Sequence, residues 1–363
     1  MTETSIRSRR SYQGLITLCL CCLLVAVVYS RHRDPLAFVV MGERFAAGNP
    51  EGNVGYDGQF AYYIALDPAN ALARIDDPPY RYQRILYPML ARLTAFGQPA
   101  LVPWTLVFIN VVSLSLGAEL LGRLVAWHGY SPYLALVLPL WLGQIFALRA
   151  DLNEPLCFLF VLAALWGFER ERYLLSALAL AAGALTKEPA LLFLPAAVMT
   201  LALRNRWRSA ARYAVIVLLP YAALQTWLHV WLGKPGMLAS GARAELVPFY
   251  GFAFSEPPVA RVFLAITFAV PVTVLLILAV RKLVRTPASL YAWAVLANCL
   301  FIVFLTRAST TDMLAVFRLA TGVVVSALLF SVAHDYRQLA WAVLAIWLPP
   351  SLLAFMIPGL LFP

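Results

Sequence analysis

Asp57, set between glycines in GYDGQF at 55–60, is the residue whose neighbours best suit it to acid–base work. Glycines on both sides favour a tight turn with open backbone. Tyr56, Phe60, Tyr62 and Tyr63 add aromatic surface of the kind on which sugar rings rest. A carboxylate held there can take the proton of an attacking hydroxyl. The same residue can equally cap a helix that starts at Gly58, and the local sequence does not separate the two readings. Arg81 and Arg84, three apart in YRYQR, share one face of a helix. Two guanidiniums match the oxygens of a lipid phosphate or diphosphate. They also suit snorkelling to headgroups. Asp76 and Asp77, just before Pro78, read as a solvated turn.

Three further clusters lie between apolar runs. Arg149, Asp151, Asn153 and Glu154 form one, in which Arg149 and Glu154 either bind substrate or pair with each other. Lys187 and Glu188 form the second. Adjacent residues on a helix do not face each other, so each is expected to have its own partner: a phosphate for Lys187, and sugar hydroxyls or an arginine for Glu188. The third holds Arg307 and Asp312, with Arg318 further along, inside an apolar run where it needs a counter-ion or a phosphate.

Other chemistries find no support. His32, His128, His229 and His334 are scattered, with no metal-ligand spacing. Cys19, Cys21, Cys22, Cys157 and Cys299 all lie in apolar runs, form no CxxC, and read as small apolar filler. No Walker loop, GxSxG elbow or dinucleotide fingerprint occurs, so nucleotide-driven work is not expected.

The elements that must position these residues are membrane spans. The chain is 62% hydrophobic and 13% charged, about half the charge usual in a soluble domain. Its mean hydropathy is +0.78. About eleven apolar spans are expected, near 13–30, 101–124, 131–148, 154–168, 173–186, 189–203, 212–232, 260–280, 288–306, 313–333 and 338–361. The first looks like a signal peptide but lacks a small-residue cleavage site, and is expected to remain as a span. The net charge of +10 resides mainly at span ends, which speaks for orientation rather than nucleic acid. With residues 1–12 as a cytoplasmic tail, the clusters Arg7–Arg10, ERER at 169–172, Arg204–Arg212 and Arg281–Arg285 fall on the cytoplasmic side. The polar clusters above fall on the other side, beside a long first outer loop over 31–100. Within that loop, 35–46 and 80–96 have helical amphipathic patterning suited to the membrane surface, and Pro88 is expected to kink the second. The whole, 1–363, reads as one all-α integral membrane domain: tail, loop one, and remaining spans over 101–363.

With those features assembled, the chain resembles the GT-C superfamily of polytopic membrane glycosyltransferases, which use polyprenyl-phosphate-linked sugars. The resemblance rests on GYDGQF in the first outer loop, on YRYQRILYP, and on GALTKEPALLFLP at 183–195, which is similar to segments of bacterial members that build cell-surface glycopolymers. It implies that Asp57 is the catalytic carboxylate of loop one. It also makes the arginines and Lys187 candidates for the lipid phosphate. Many members carry a DxD-type acidic pair in loop one. Here Gln59 stands at the second position, which leaves open both a divalent cation (Mg or Mn) as cofactor and Asp77 as the second acid. No soluble C-terminal domain is expected.

The function so implied is inverting transfer of a hexose or pentose from a polyprenyl-phosphate donor to a glycan or lipid acceptor, at the outer face of a bacterial cytoplasmic membrane. Asp57 is the expected base. Arg81, Arg84, Arg149, Glu154, Lys187, Glu188, Arg307 and Arg318 are the expected binding residues, and no metal ligand is assigned. The expected partners are donor, acceptor and membrane lipids. The rival is a transporter or flippase for a lipid-linked or anionic substrate, which should show inverted repeats or helices broken at the midplane. A non-catalytic partner in a polysaccharide assembly comes third.

Overall fold

The computed structural model describes residues 12–239 and 245–356. The expected basic tail with Arg7, Arg9 and Arg10, and the end of the last expected span, lie outside them. The protein is all-helical, with no strand among the described residues. Long apolar runs dictate this, because a helix is the one local structure that satisfies every backbone group within a single apolar segment.

The helices used below are, in chain order, α1 (Gln13–His32), α2 (Gly58–Leu66), α3 (Pro78–Tyr82), α4 (Leu86–Thr94), α5 (Val102–Trp127), α6 (Leu142–Arg149), α7 (Glu154–Glu169), α8 (Tyr173–Thr186), α9 (Leu194–Leu203), α10 (Trp207–Leu232), α11 (Val270–Arg285), α12 (Leu290–Val303), α13 (Met313–Leu319), α14 (Thr321–Ala333), α15 (Arg337–Trp347) and α16 (Pro349–Met356).

Six helical stretches among the described residues are long and apolar enough to cross a membrane: Gln13–His32, Pro99–Trp127, Trp207–Leu232, Pro258–Arg285, Met313–Ala333 and Arg337–Met356. Tyr173–Thr186, Glu188–Leu203 and Leu290–Val303 are apolar but shorter, below the ~20 residues a full crossing takes. Prolines explain much of the difference from eleven uniform spans. The run at 131–148 divides into a 3-10 turn Pro132–Val137 and α6, with Pro139 between them. The run at 189–203 begins as a 3-10 turn Glu188–Phe193 before α9, with Pro189 and Pro195 near the two starts. Proline lacks the N–H that would continue the helix.

Loop one is ordered by specific bonds. The 80–96 stretch is two helices, α3 and α4, joined by a turn at 83–85. Pro88 sits in the first turn of α4, where its missing N–H has no intrahelical partner to lose. The stretch 35–46 is not one helix. It is a 3-10 turn, Pro35–Phe38, started by Asp34 accepting from Leu36 N–H, and a short turn Glu43–Ala46. Val40 at φ 53° separates them. The backbones of Gly42 and Gly55 touch there: a Cβ on Gly42 would lie 2.3 Å from Gly55 N, so this crossing requires glycine.

The deepest element is the α13–α14 stretch. Phe317, Val324, Val325 and Leu328 through Phe330 are fully buried, as expected of a helix apolar on all sides. That stretch carries Arg318 into the interior beside α6 and α7.

Candidate active site

Five chain segments bring their charges together at one end of the bundle. Asp57 is at the N-cap position of α2 yet makes no side-chain capping bond. Its carboxylate is instead bridged by two guanidiniums: Arg81 Nη1 lies 2.9 Å from Oδ1, and Arg318 Nη2 donates to Oδ2 at 3.1 Å. The two readings left open by the sequence thus separate here, since Asp57 faces basic groups and not its own helix. Burial alone raises the Asp57 carboxyl, but Arg81 and Arg318, then Arg84 and Lys187, outweigh it and hold the group far below the usual carboxylate range.

The arginines are themselves ordered. Arg81 forms a two-pronged contact with Asp76, Nε to Oδ1 and Nη2 to Oδ2 both at 2.8 Å, and lies 4.2 Å from the Phe60 ring centre. Asp76 is therefore an arginine partner as well as a turn residue. Arg84, just past α3, donates through Nε to Glu188 at 3.0 Å and through Nη2 to the Tyr80 hydroxyl at 2.5 Å. Arg318 donates through Nε to Glu154 Oε1 at 2.6 Å and through Nη1 to the Tyr56 hydroxyl at 2.9 Å. Tyr56 in turn donates its hydroxyl hydrogen bond to Asp312 Oδ2 at 2.5 Å. Lys187 Nζ reaches the same Glu154 oxygen at 2.5 Å. Burial weakens the Arg81 and Arg84 cations, but the carboxylates around them more than compensate, and both stay protonated.

Local structure explains the placement. Asn153 Nδ2 donates to Thr186 O at 3.1 Å, which ties the start of α7 to the end of α8 and so sets Glu154 beside Lys187. Lys187 has extended backbone between α8 and the following 3-10 turn, which aims it away from Glu188. The adjacent pair takes separate partners, as expected, but because Lys187 is extended between two helical segments and not because both lie on one helix.

The cluster opens into a pocket lined by Asp57, Phe60, Arg81, Arg84, Asp151 and Arg318 together with apolar neighbours. Its cavity volume is about 30 Å³, room for roughly one or two waters and far below the ~300–1,000 Å³ usual for small-molecule sites, so a ligand enters only as the ion pairs around it part. Of the expected binding residues, Arg81, Arg84 and Arg318 line it, Glu154, Lys187 and Glu188 pair with one another or with those arginines, and Arg149 and Arg307 stand apart. Arg149 is buried and donates to Ala37 O at 2.7 Å, and Glu154 pairs with Lys187 and Arg318 rather than with it. Arg307 is exposed, stacks 4.6 Å from the Phe254 ring centre, and takes Glu245 on its backbone N–H.

Asp151 also lines the pocket, although nothing in its polar loop set it apart from its neighbours. Gln59, at the second position of the acidic pattern, is fully buried and straps loop one, accepting from Gly42 N–H at 3.1 Å and donating to Val54 O at 2.7 Å. Among the described residues no three His, Cys, Asp or Glu gather as a cation-ligand set, and both Asp57 oxygens are taken by arginines. The residues present do not fit a divalent ion.

Gly58 sets the floor. A Cβ there would lie 2.1 Å from the carbonyl oxygen of Ala150, so loop one and the 150–153 loop meet backbone to backbone. No family model, curated protein or solved structure matches the chain.

Proposed function

We propose that the protein is a membrane glycosyltransferase that moves a sugar from a polyprenyl-phosphate donor to a glycan or lipid acceptor, in a GT-C-like arrangement at the outer face of a bacterial cytoplasmic membrane. The observation that carries the proposal is one pocket holding an acidic residue, Asp57, with three guanidiniums, Arg81, Arg84 and Arg318, at the end of a set of apolar helices. A carboxylate for the hydroxyl proton and cations for a phosphate leaving group are what such a transfer needs.

In the proposed step the acceptor oxygen attacks the anomeric carbon and its proton passes to Asp57. The bond from that carbon to the phosphate oxygen breaks, and its electron pair leaves with the phosphate, beside Arg81, Arg84 and Arg318. The arginines that now bridge Asp57 make it a weak base. An arriving phosphate competes for those same guanidiniums, so donor binding frees the carboxylate and raises its basicity. The base is thus armed only when a leaving group is present.

The test supplies purified protein in detergent with polyprenyl-phosphate sugars and candidate acceptors. Product formation in the absence of any sealed compartment excludes pure transport. Asp57→Asn is expected to lower the rate by about 10²–10⁴-fold. A folded Asp57→Asn protein with full transfer activity overturns the assignment.

A further inference from the structure

Of the charged residues that line the pocket, Asp151 alone has no part in the bridged network. Its side chain is fully buried, it lines the pocket with Asp57 and the three arginines, and neither carboxyl oxygen has a hydrogen-bond partner among the described residues. Its backbone is left-handed, at φ 48°. That is the usual conformation of the residue just past a helix end, and Asp151 closes α6 in this way, with Leu152 N–H bonded back to Ala147 O. The loop around it is otherwise well bonded: Ala150 N–H reaches Phe146 O at 2.9 Å and Leu152 N–H reaches Ala147 O at 2.9 Å. An ordered loop therefore presents an unbonded acid to the pocket.

Buried polar groups are nearly always satisfied, so an orphan calls for a partner from outside the chain. The chemistry of that partner is narrow. A phosphate is served by the guanidiniums, and an ionised carboxylate would repel it. A cation finds no set of three His, Cys, Asp or Glu side chains among the described residues, and both Asp57 oxygens are held by arginines at 2.9 and 3.1 Å. A hydroxyl group remains, since it both donates and accepts. Burial keeps the Asp151 carboxyl in its acid form well above the usual range, against the pull of Arg149, and a protonated carboxyl also donates and accepts.

We infer that Asp151 is a sugar-recognition residue, whose carboxyl hydrogen-bonds a hydroxyl of the donor's glycosyl group while the arginines hold its phosphate. This rests on the transferase reading above. It divides the pocket into a phosphate side, formed by Arg81, Arg84 and Arg318, and a sugar side at the 150–153 loop.

The experiment measures binding of bare polyprenyl phosphate and of a panel of hexoses and pentoses carried on it, to wild type and to Asp151→Leu, Asp151→Ala and Asp151→Asn in detergent. Wild type is expected to prefer at least one sugar-bearing lipid over the bare one. Asp151→Leu and Asp151→Ala are expected to lose that preference by about tenfold, the value of one to two buried hydrogen bonds, while binding bare polyprenyl phosphate as before. Asp151→Asn, which also donates and accepts, is expected to retain it within about threefold. Asp151→Leu removes an unsatisfied buried group but puts a branched apolar residue at a left-handed position that suits Asp and Asn, so the melting temperature of each variant is measured to show that it is folded when lipid is added. A preference kept by both Leu and Ala variants overturns the inference and leaves the transferase reading standing. Loss in Asp151→Asn equal to that in Asp151→Leu overturns the hydroxyl role. A wild type that binds none of the lipids overturns the transferase reading and this inference together.

Discussion

The two ends of the helical bundle use charge in opposite ways. At the Asp57 end, Lys187, Glu154 and Arg318 are at most 5% exposed, and their contacts join residues far apart in sequence. At the other end, reached by following α7 to its terminus, the pairs are loose. Arg206–Glu171 is 44% and 62% exposed, and Arg337–Asp335 is 79% and 74% exposed. Exposed pairs contribute little, because water screens them and side-chain freedom is lost in forming them. Buried pairs bring a desolvation penalty that apolar packing would avoid. A chain that accepts this penalty at one end only has a reason there other than stability, and a ligand is the reason the pocket supplies.

That contrast can be broken at several points. The largest expected effect is on Glu154, the shared acceptor of Lys187 and Arg318. Glu154→Gln takes the anion from buried Lys187 and leaves Arg318 with Asp57 alone, and is expected to destabilise the protein by about 3–5 kcal/mol, read by denaturation in detergent. A shift no larger than that of an exposed pair would remove the distinction between the ends.

Next come the two pocket carboxyls, whose pH dependence should run in opposite senses. The Asp57 carboxyl is depressed in the folded protein. Its contribution is present above the unfolded value of about 3.9 and is lost as pH falls. The Asp151 carboxyl is raised, so its contribution is present below about 3.9 and is lost as pH rises toward the folded value. Denaturation from pH 4 to 8 should therefore show Asp151→Asn falling less steeply than wild type. The acid-side loss should be shallower in Asp57→Asn. Matching slopes in all three proteins would show that the two acids share one environment.

Smaller again is Asp76→Asn. Asp76 occupies two donors of Arg81, and its side chain is 37% exposed. Freeing that guanidinium should tighten polyprenyl-phosphate binding by about fivefold at most, and weaker binding would show that Asp76 orients Arg81 for the ligand. At the far end, Arg337→Ala should leave both melting temperature and lipid binding unchanged, the smallest effect of the series.

The sequence carried much of this at the level of types and little at the level of pairs. Apolar runs, flanking prolines and ionisable residues at run ends are local, so the helices and the residues Asp57, Arg81, Arg84, Glu154, Lys187, Glu188 and Arg318 could be singled out. Which acid meets which base is decided by packing between distant helices. No local pattern says that Arg318 reaches Asp57 and Glu154, or that Arg149 turns to Ala37. Asp151 was hidden for another reason. In a loop with Arg149, Asn153 and Glu154 it looks like any polar turn residue, and only burial without a partner sets it apart. The interrupted spans were half visible: Pro139 and Pro189 stood in the sequence, but a hydropathy window averages over them.

The contact at Gly58 gives the pocket one fixed wall and one adjustable wall. Because loop one rests on the Ala150 carbonyl with no side chain between them, changes of residue cannot widen that side without lifting the whole loop. The rest of the lining is side chains, Ala61, Ile64 and Pro88 among them, which can change size without moving that contact. Under the proposed transfer, variation in the sugar accepted would arise there, with the Gly58–Ala150 contact as an unchanging gauge.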